Sequence, residues 1–238
     1  MAKPILVANW KNHPSSLFEA RALLKSLSAK RKLFKKLSLF IAPPLPYFES
    51  VFERASFANL ASQDMELPDI LKSFGVKIAI IGHSDRRARG DTDEIVNQKI
   101  KTVVRAGIIP LLCIGEMVAD RDGEHFEFLR GQLRSALAGI KNSKIIVAYE
   151  PVWAIGKTAK NALGPEELKQ TVIFIKKVLT DILGRRISNQ IPILYGGAVE
   201  PTNAGSLMHE SGIKGFLVGH ASLSSKSFEE IAKSILNA

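Results

Sequence analysis

The chain has 238 residues, 46% hydrophobic and 24% charged, which is enough to bury a sizeable core and too apolar for a disordered chain. Its 17 Gly and 11 Pro are too few for a collagen-like or linker protein, and a lone cysteine, Cys113, excludes a disulfide scaffold or a cysteine-cluster zinc site. A formal charge of +10 favours anions as partners, whether nucleic acid, an acidic surface or a small phosphorylated molecule. No apolar run approaches a bilayer span, and Ile5-Leu6-Val7-Ala8 is too short for a secretory core. The expectation is a cytoplasmic protein with no membrane partner.

In chain order, eight short apolar runs alternate with helix-like segments. Ile5–Trp10 comes first, then Ser16–Ala29, where Leu17, Ala20, Leu23, Leu24 and Leu27 recur at helical spacing. Beside that helix end lie Lys30-Arg31-Lys32 and Lys35-Lys36. They read as a solvated face, because no aromatic interleaving accompanies them, and no nucleic-acid partner is expected. Leu37–Ala42, Asn59–Gln63 and Ile78–Gly82 are the next strand-like runs, followed by a helix at Glu94–Ala106. Ile109–Gly115 and Ile145–Glu150 follow. Pro165-Glu166-Glu167 then opens a long helix, with proline in the first turn and acids near the positive end. Ile191–Tyr195, Gly215–Gly219 and a last helix at Ser227–Leu236 complete the pattern.

Continuous apolar runs fit strands buried on both faces of a parallel sheet. Eight βα units of about 30 residues each match the economy of a (β/α)₈ barrel. The predicted fold is therefore α/β: one barrel domain over residues 1–238, with eight parallel strands inside a ring of helices. A doubly wound open sheet is the alternative. Asn9-Trp10-Lys11 stands where that fold would need a dinucleotide glycine motif, which favours the barrel.

In a barrel, polar residues at the strand C-terminal ends face the active site. Here those ends carry Asn9 and Lys11, His83, Glu116, Glu150, Gly196-Gly197-Ala198 and Gly219-His220. A carboxylate can abstract a carbon-bound proton, a histidine or lysine can stabilise the enediolate oxygen, and glycine-bearing turns can offer backbone N–H groups to a phosphate. The constellation points to proton abstraction beside a carbonyl in a phosphorylated substrate. Taken singly, each residue has a structural reading: Lys11 as a surface lysine, His83 as a satisfied histidine, Cys113 as a small buried hydrophobe.

The blocks Ala8-Asn9-Trp10-Lys11, Ile81-Gly82-His83-Ser84, Cys113-Ile114-Gly115-Glu116, Tyr149-Glu150-Pro151-Val152-Trp153, Tyr195-Gly196-Gly197 and Leu217-Val218-Gly219 occur in order along the chain. In these blocks the sequence resembles the triosephosphate isomerase family over essentially its whole length. The resemblance implies interconversion of dihydroxyacetone phosphate and D-glyceraldehyde 3-phosphate, in glycolysis and gluconeogenesis, without metal or other cofactor. It implies Glu150 as base, His83 as neutral electrophile, Lys11 as stabilising cation and Asn9 as a partner of the substrate oxygens, the chemistry known for this family. Gly156, Ala198, Gly219 and His220 are implied as phosphate-binding, Pro151–Lys157 as a mobile lid, and Ser84 and Glu116 as supporting residues.

The sequence departs from that family after the third strand. Gln63-Asp64-Met65-Glu66-Leu67-Pro68-Asp69 runs straight into Ile70, without the long loop by which family members reach a partner subunit. The usual homodimer is expected to be weakened or absent and a monomer is favoured, with a dimer through another surface as the alternative. Ala198 replaces a serine, His220 a glycine and Asp85 a glutamate, and the lid lacks a second glycine. A weakly active or inactive phosphate-binding barrel is the alternative function.

Overall fold

A computed structural model describes residues 2–65, 67–119, 123–141, 144–159 and 162–237. Eight strands form a closed, all-parallel barrel in sequence order, sealed by pairing of the last strand with the first. They are β1 Ile5–Asn9, β2 Ser38–Ala42, β3 Asn59–Ser62, β4 Ile78–Ile81, β5 Ile109–Ile114, β6 Ile146–Tyr149, β7 Ile193–Tyr195 and β8 Gly215–Val218. The helices between them are α1 Leu17–Ser28, α2 Arg31–Phe34, α3 Phe48–Arg54, α4 Pro68–Ser73, α5 Ser84–Arg87, α6 Asp93–Arg105, α7 Glu124–Ala136, α8 Pro165–Leu183, α9 Arg185–Ser188, α10 Ala204–Glu210 and α11 Ser225–Leu236. The expected (β/α)₈ barrel is the observed fold.

Alternation along each strand divides the core in two. Val7, Ala42, Ala61, Ile78, Ile80, Leu111, Cys113, Ala148, Leu194 and Leu217 cluster in the barrel interior. Their neighbours, including Leu6, Ala8, Ile81, Leu112, Val147 and Val218, belong to the second cluster, between the strands and the helices. Both sides of each strand are covered, which is why the strands read as unbroken apolar runs.

The predicted boundaries shift by one or two residues, each for a local reason. Trp10, Gly82, Gly115, Glu150 and Gly219 lie just past the strand ladders, where the chain turns outward into the rim. Ser16 caps α1 by accepting from the Glu19 N–H, so that helix starts at Leu17. Thr92 does the same for the Ile95 N–H and starts α6 at Asp93 rather than Glu94. Ser224 accepts from Ser227 N and starts α11 at Ser225. Five residues separate β3 from α4. Glu66, one of them, lies outside the described residues. Among those described, no helix is long and apolar enough to cross a membrane.

Candidate active site

The site residues continue the inward stripe of the barrel interior. Asn9 follows Val7 at a spacing of two, and Glu150 follows Ala148. Gly196 follows Leu194 and Gly219 follows Leu217 in the same way. His83 breaks this parity, since Ile78 and Ile80 point inward and would bring Gly82, not His83, to the centre. Gly82 holds a left-handed backbone, φ 73°, and that turn re-aims the next side chain into the site.

Asn9, Lys11, His83 and Glu150 come together around a cavity of about 430 Å³. Asn9, His83 and Glu150 are respectively 4%, 5% and 3% exposed, unusually low for polar groups. His83 Nε2 lies 3.3 Å from Glu150 Oε1. At the other side of the ring, Nδ1 accepts the Asp85 backbone N–H at 3.1 Å, in the first turn of α5. An acceptor Nδ1 places the imidazole proton on Nε2, facing Glu150 and the cavity. Glu150 Oε2 is buried and makes no hydrogen bond among the described residues.

Lys11 adopts φ 51°, a left-handed conformation that costs about 1–3 kcal/mol for a residue with a side chain. Three groups hold it there. Asn9 Oδ1 accepts the Lys11 N–H at 3.1 Å, and Gln63 Nε2 donates to the Lys11 carbonyl at 2.7 Å. Asp85 pairs with the ammonium at 3.1 Å. Gln63 also donates to the Ala42 carbonyl, so one amide ties the ends of β1, β2 and β3 together.

Glu150 needs empty space on both sides. A Cβ on Gly196 would sit 2.7 Å from Glu150 Cγ, and one on Gly115 would sit 1.8 Å from the Glu150 carbonyl oxygen. Below it, burial and then the Glu150 carboxylate push the Cys113 thiol well above its ordinary range. The thiol therefore keeps its proton beside the carboxylate, buried as a small apolar side chain would be.

Glu116 stands one layer back. Its Oε1 accepts from the Tyr149 hydroxyl at 3.0 Å and from Trp153 Nε1 at 2.6 Å, and its carbonyl accepts the Val152 N–H. It thus fastens the start of the 151–157 segment to the ends of β5 and β6. Gly156, Ala198, Gly219 and His220 all line the cavity. Ser84 sits in the first turn of α5, beside the cavity rather than on its wall.

His13 and Glu200 also line the cavity, and the sequence reading gave neither a role. His13 follows Lys11 by two residues, and Glu200 follows Ala198 by two, so their proximity to strand ends was the available signal. Among the described residues, no cluster of three or more His, Cys, Asp or Glu could hold a metal ion.

A (β/α)₈ barrel with a buried carboxylate, a histidine and a constrained lysine at the strand C-terminal ends defines a class: enzymes that shuttle protons on a small substrate held at that rim. Comparison with known proteins narrows the class. The family model described as triosephosphate isomerase matches residues 4–235. A protein named triosephosphate isomerase from Geobacter metallireducens is 39% identical over 249 residues, covering 97% of this chain and 98% of its own. One of the same name from Dehalococcoides mccartyi (strain ATCC BAA-2266) is 37% identical, covering 98% and 97%. Another, from Carboxydothermus hydrogenoformans, is 36% identical, covering 98% and 99%. The chain belongs to the triosephosphate isomerase family.

Proposed function

We propose that this cavity interconverts dihydroxyacetone phosphate and D-glyceraldehyde 3-phosphate, with Glu150 as the base. The observation that carries the assignment is the buried Glu150–His83 contact facing the same cavity as Lys11. The Glu150 carboxylate takes a proton from the carbon next to the substrate carbonyl, and an enediolate forms. The His83 Nε2–H donates to the oxygen on which charge develops, and the Lys11 ammonium opposes that charge. Asn9 supports the backbone that presents Lys11. The hydroxyl proton on the first carbon passes to the former carbonyl oxygen by way of His83 Nε2, and Glu150 returns its own proton to the former carbonyl carbon, so the carboxylate is regenerated and no atom is gained or lost. The cycle calls on no metal or cofactor.

The phosphate fits the opposite part of the cavity, at Gly156, Ala198, Gly219 and His220, where backbone N–H groups suit an anion. The 151–157 segment acts as the lid, anchored through Trp153 to Glu116. Water excluded by its closure would otherwise compete for the enediolate's hydrogen bonds. Glu150→Gln tests the scheme. It is expected to lower kcat by about 10²–10⁴-fold while phosphoglycolate still binds. An unchanged kcat would remove Glu150 from the role of base.

We further read the chain as one domain over residues 1–238, acting as a cytoplasmic monomer in glycolysis and gluconeogenesis. What supports the monomer is the way the short third loop is held from within the chain. Asp64 is buried, with Arg86 Nε and Lys99 Nζ each 2.8 Å from its Oδ2. Lys99 reaches Asp91 as well. Burial disfavours the Lys99 charge, but Asp64 and Asp91 outweigh it and raise the ammonium above its ordinary range. Sedimentation equilibrium with activity measured on the same samples tests this reading. Activity appearing only with a dimer would overturn it.

A further inference from the structure

We propose that the end of the barrel opposite the cavity is a docking surface for double-stranded nucleic acid, gripped through its phosphate backbone. The segments that lead into the eight strands are residues 2–4, 29–37, 55–58, 74–77, 106–108, 137–145, 184–192 and 211–214. Because all strands are parallel, these segments share one rim, and the cavity occupies the other. They contain twelve Lys and Arg and no Asp or Glu. The rest of the chain holds 21 Lys and Arg against 23 Asp and Glu, so this rim carries more than the whole net charge of +10.

The charges are exposed and contiguous. All twelve side chains are solvent-exposed. Eleven belong to the segments entering β6, β7, β8, β1 and β2, which are consecutive around the closed barrel. The segment 29–37 alone supplies five, and the Lys3 ammonium donates to the Lys35 carbonyl, knitting the N-terminal segment to it. Lys30 pairs with Glu229 of α11. Glu53, Asp181 and Glu210 lie in the last turns of helices that end towards this rim, where Lys25, Arg54, Lys72, Arg105, Arg134 and Lys233 outnumber them. Behind the rim, the Lys176 ammonium donates to the Ser188 and Ile191 carbonyls, and burial, with a lesser push from Lys214, holds it below its ordinary range.

The shape of this charge selects the partner. A crescent spanning five strands matches an extended polyanion rather than a small one. Large exposed apolar side chains of the described residues, such as Phe18, Leu67, Met117 and Val118, all lie outside these segments. Phe52, in the last turn of α3, flanks them, but a single ring packed edge-on against Phe74 is no apolar face for a lipid surface. Phe34 and Phe57, the aromatics of the segments entering β2 and β3, are buried, and half-buried Phe74, entering β4 outside the basic crescent, is packed edge-on by Phe48 and Phe52, so the crescent gives unstacked bases no platform. What remains is a row of cations suited to a duplex backbone, read without regard to sequence.

Fluorescence anisotropy with two DNA duplexes of about 20 base pairs and unrelated sequence tests this across 50–200 mM salt. Both duplexes are expected to bind alike, with log K falling linearly against log salt. The combined variant Arg31→Gln, Lys32→Gln, Lys35→Gln and Lys36→Gln should lower that slope by about 3–4, close to one per lost phosphate contact. Its isomerase activity, measured on the same sample, reports that it is folded. A control removing the same charge elsewhere, Arg89→Gln, Lys169→Gln, Lys177→Gln and Lys226→Gln, should leave the slope in place. The proposal is overturned if neither duplex binds in a salt-dependent way. It is equally overturned if the control costs as much as the rim variant, or if phosphatidylserine vesicles bind more tightly than either duplex.

Discussion

At the rim where the strands end, Asn9, His83 and Glu150 are almost wholly buried and Lys11 keeps a left-handed backbone. At the rim where they begin, Lys and Arg are exposed, and α2 and α9 are short helices without a side-chain cap. One sheet supports both. The first rim buries most of its polar groups and fixes them with partners, the Asp85 N–H for His83 and Glu116 for Trp153, while the part-exposed Lys11 ammonium pairs with Asp85. The second rim leaves its charges exposed, where pairs such as Lys30 with Glu229 put little stability at stake. The comparison teaches that tolerance to substitution should differ steeply between two ends of the same strands.

The largest effect is expected where backbone and carboxylate meet. Gly196→Ala would place a methyl 2.7 Å from Glu150 Cγ. The carboxylate must then move, and a displacement of about 1 Å costs on the order of 10²-fold in rate. Steady-state kinetics should show the loss in kcat, with inorganic phosphate inhibiting as before, because the phosphate end is untouched. Unchanged turnover would mean that Glu150 tolerates displacement.

A smaller loss should follow from the support of Lys11. Gln63→Ala removes both amide bonds, to the Lys11 and Ala42 carbonyls, and leaves the left-handed turn held by Asn9 and Asp85. A kcat lower by roughly tenfold is expected, with Gln63→Glu failing to rescue because a carboxylate cannot donate. Full rescue by Glu would show that the amide only fills space.

Much of this was legible in the residues. The eight strands and the barrel followed from apolar runs at regular intervals, because burial on both faces leaves no polar alternation to obscure them. Asn9, Lys11 and Glu150 were readable as strand-end residues, and the family's motifs fixed which ends mattered. The hold of Gln63 on Lys11 was not legible, since it joins positions 52 residues apart through one amide. His13 and Glu200 were missed because wall residues of a cavity carry no local motif. The layout of the far rim was not legible for a related reason. Lys30–Lys36 is an ordinary basic run in one dimension, and only ring closure sets it beside the basic residues that enter β6, β7 and β8.

Alkaline titration probes the buried side in another way. Burial raises Cys113 and Tyr149 above their ordinary values, near 9 and 10, with Glu150 and Glu116 adding to the respective shifts. Above pH 9 the unfolded chain releases these protons while the native state keeps them, so stability must fall as pH rises. Cys113 alone is expected to remove about 1 kcal/mol between pH 9 and 10. Urea midpoints at pH 7, 9 and 10 should show the decline, and Cys113→Ala should flatten its first part. An equal slope in the variant would place the titration elsewhere.

The smallest expected effect is also the sharpest test of the contrast. A net charge of +10 invites the idea that the molecule gathers its dianionic substrate from a distance. The excess is on the wrong rim for that. The strands alone separate it from the cavity by on the order of 15 Å, beyond a Debye length of about 8 Å at physiological ionic strength. Local cations such as Lys11 and Lys157 remain, the latter lying over the Trp153 ring. Neutralising Arg31, Lys32, Lys35 and Lys36 should therefore leave kcat/KM within about twofold at 0.15 M salt. A larger drop would mean that the two rims share one electrostatic field, and the separation drawn between them would fail.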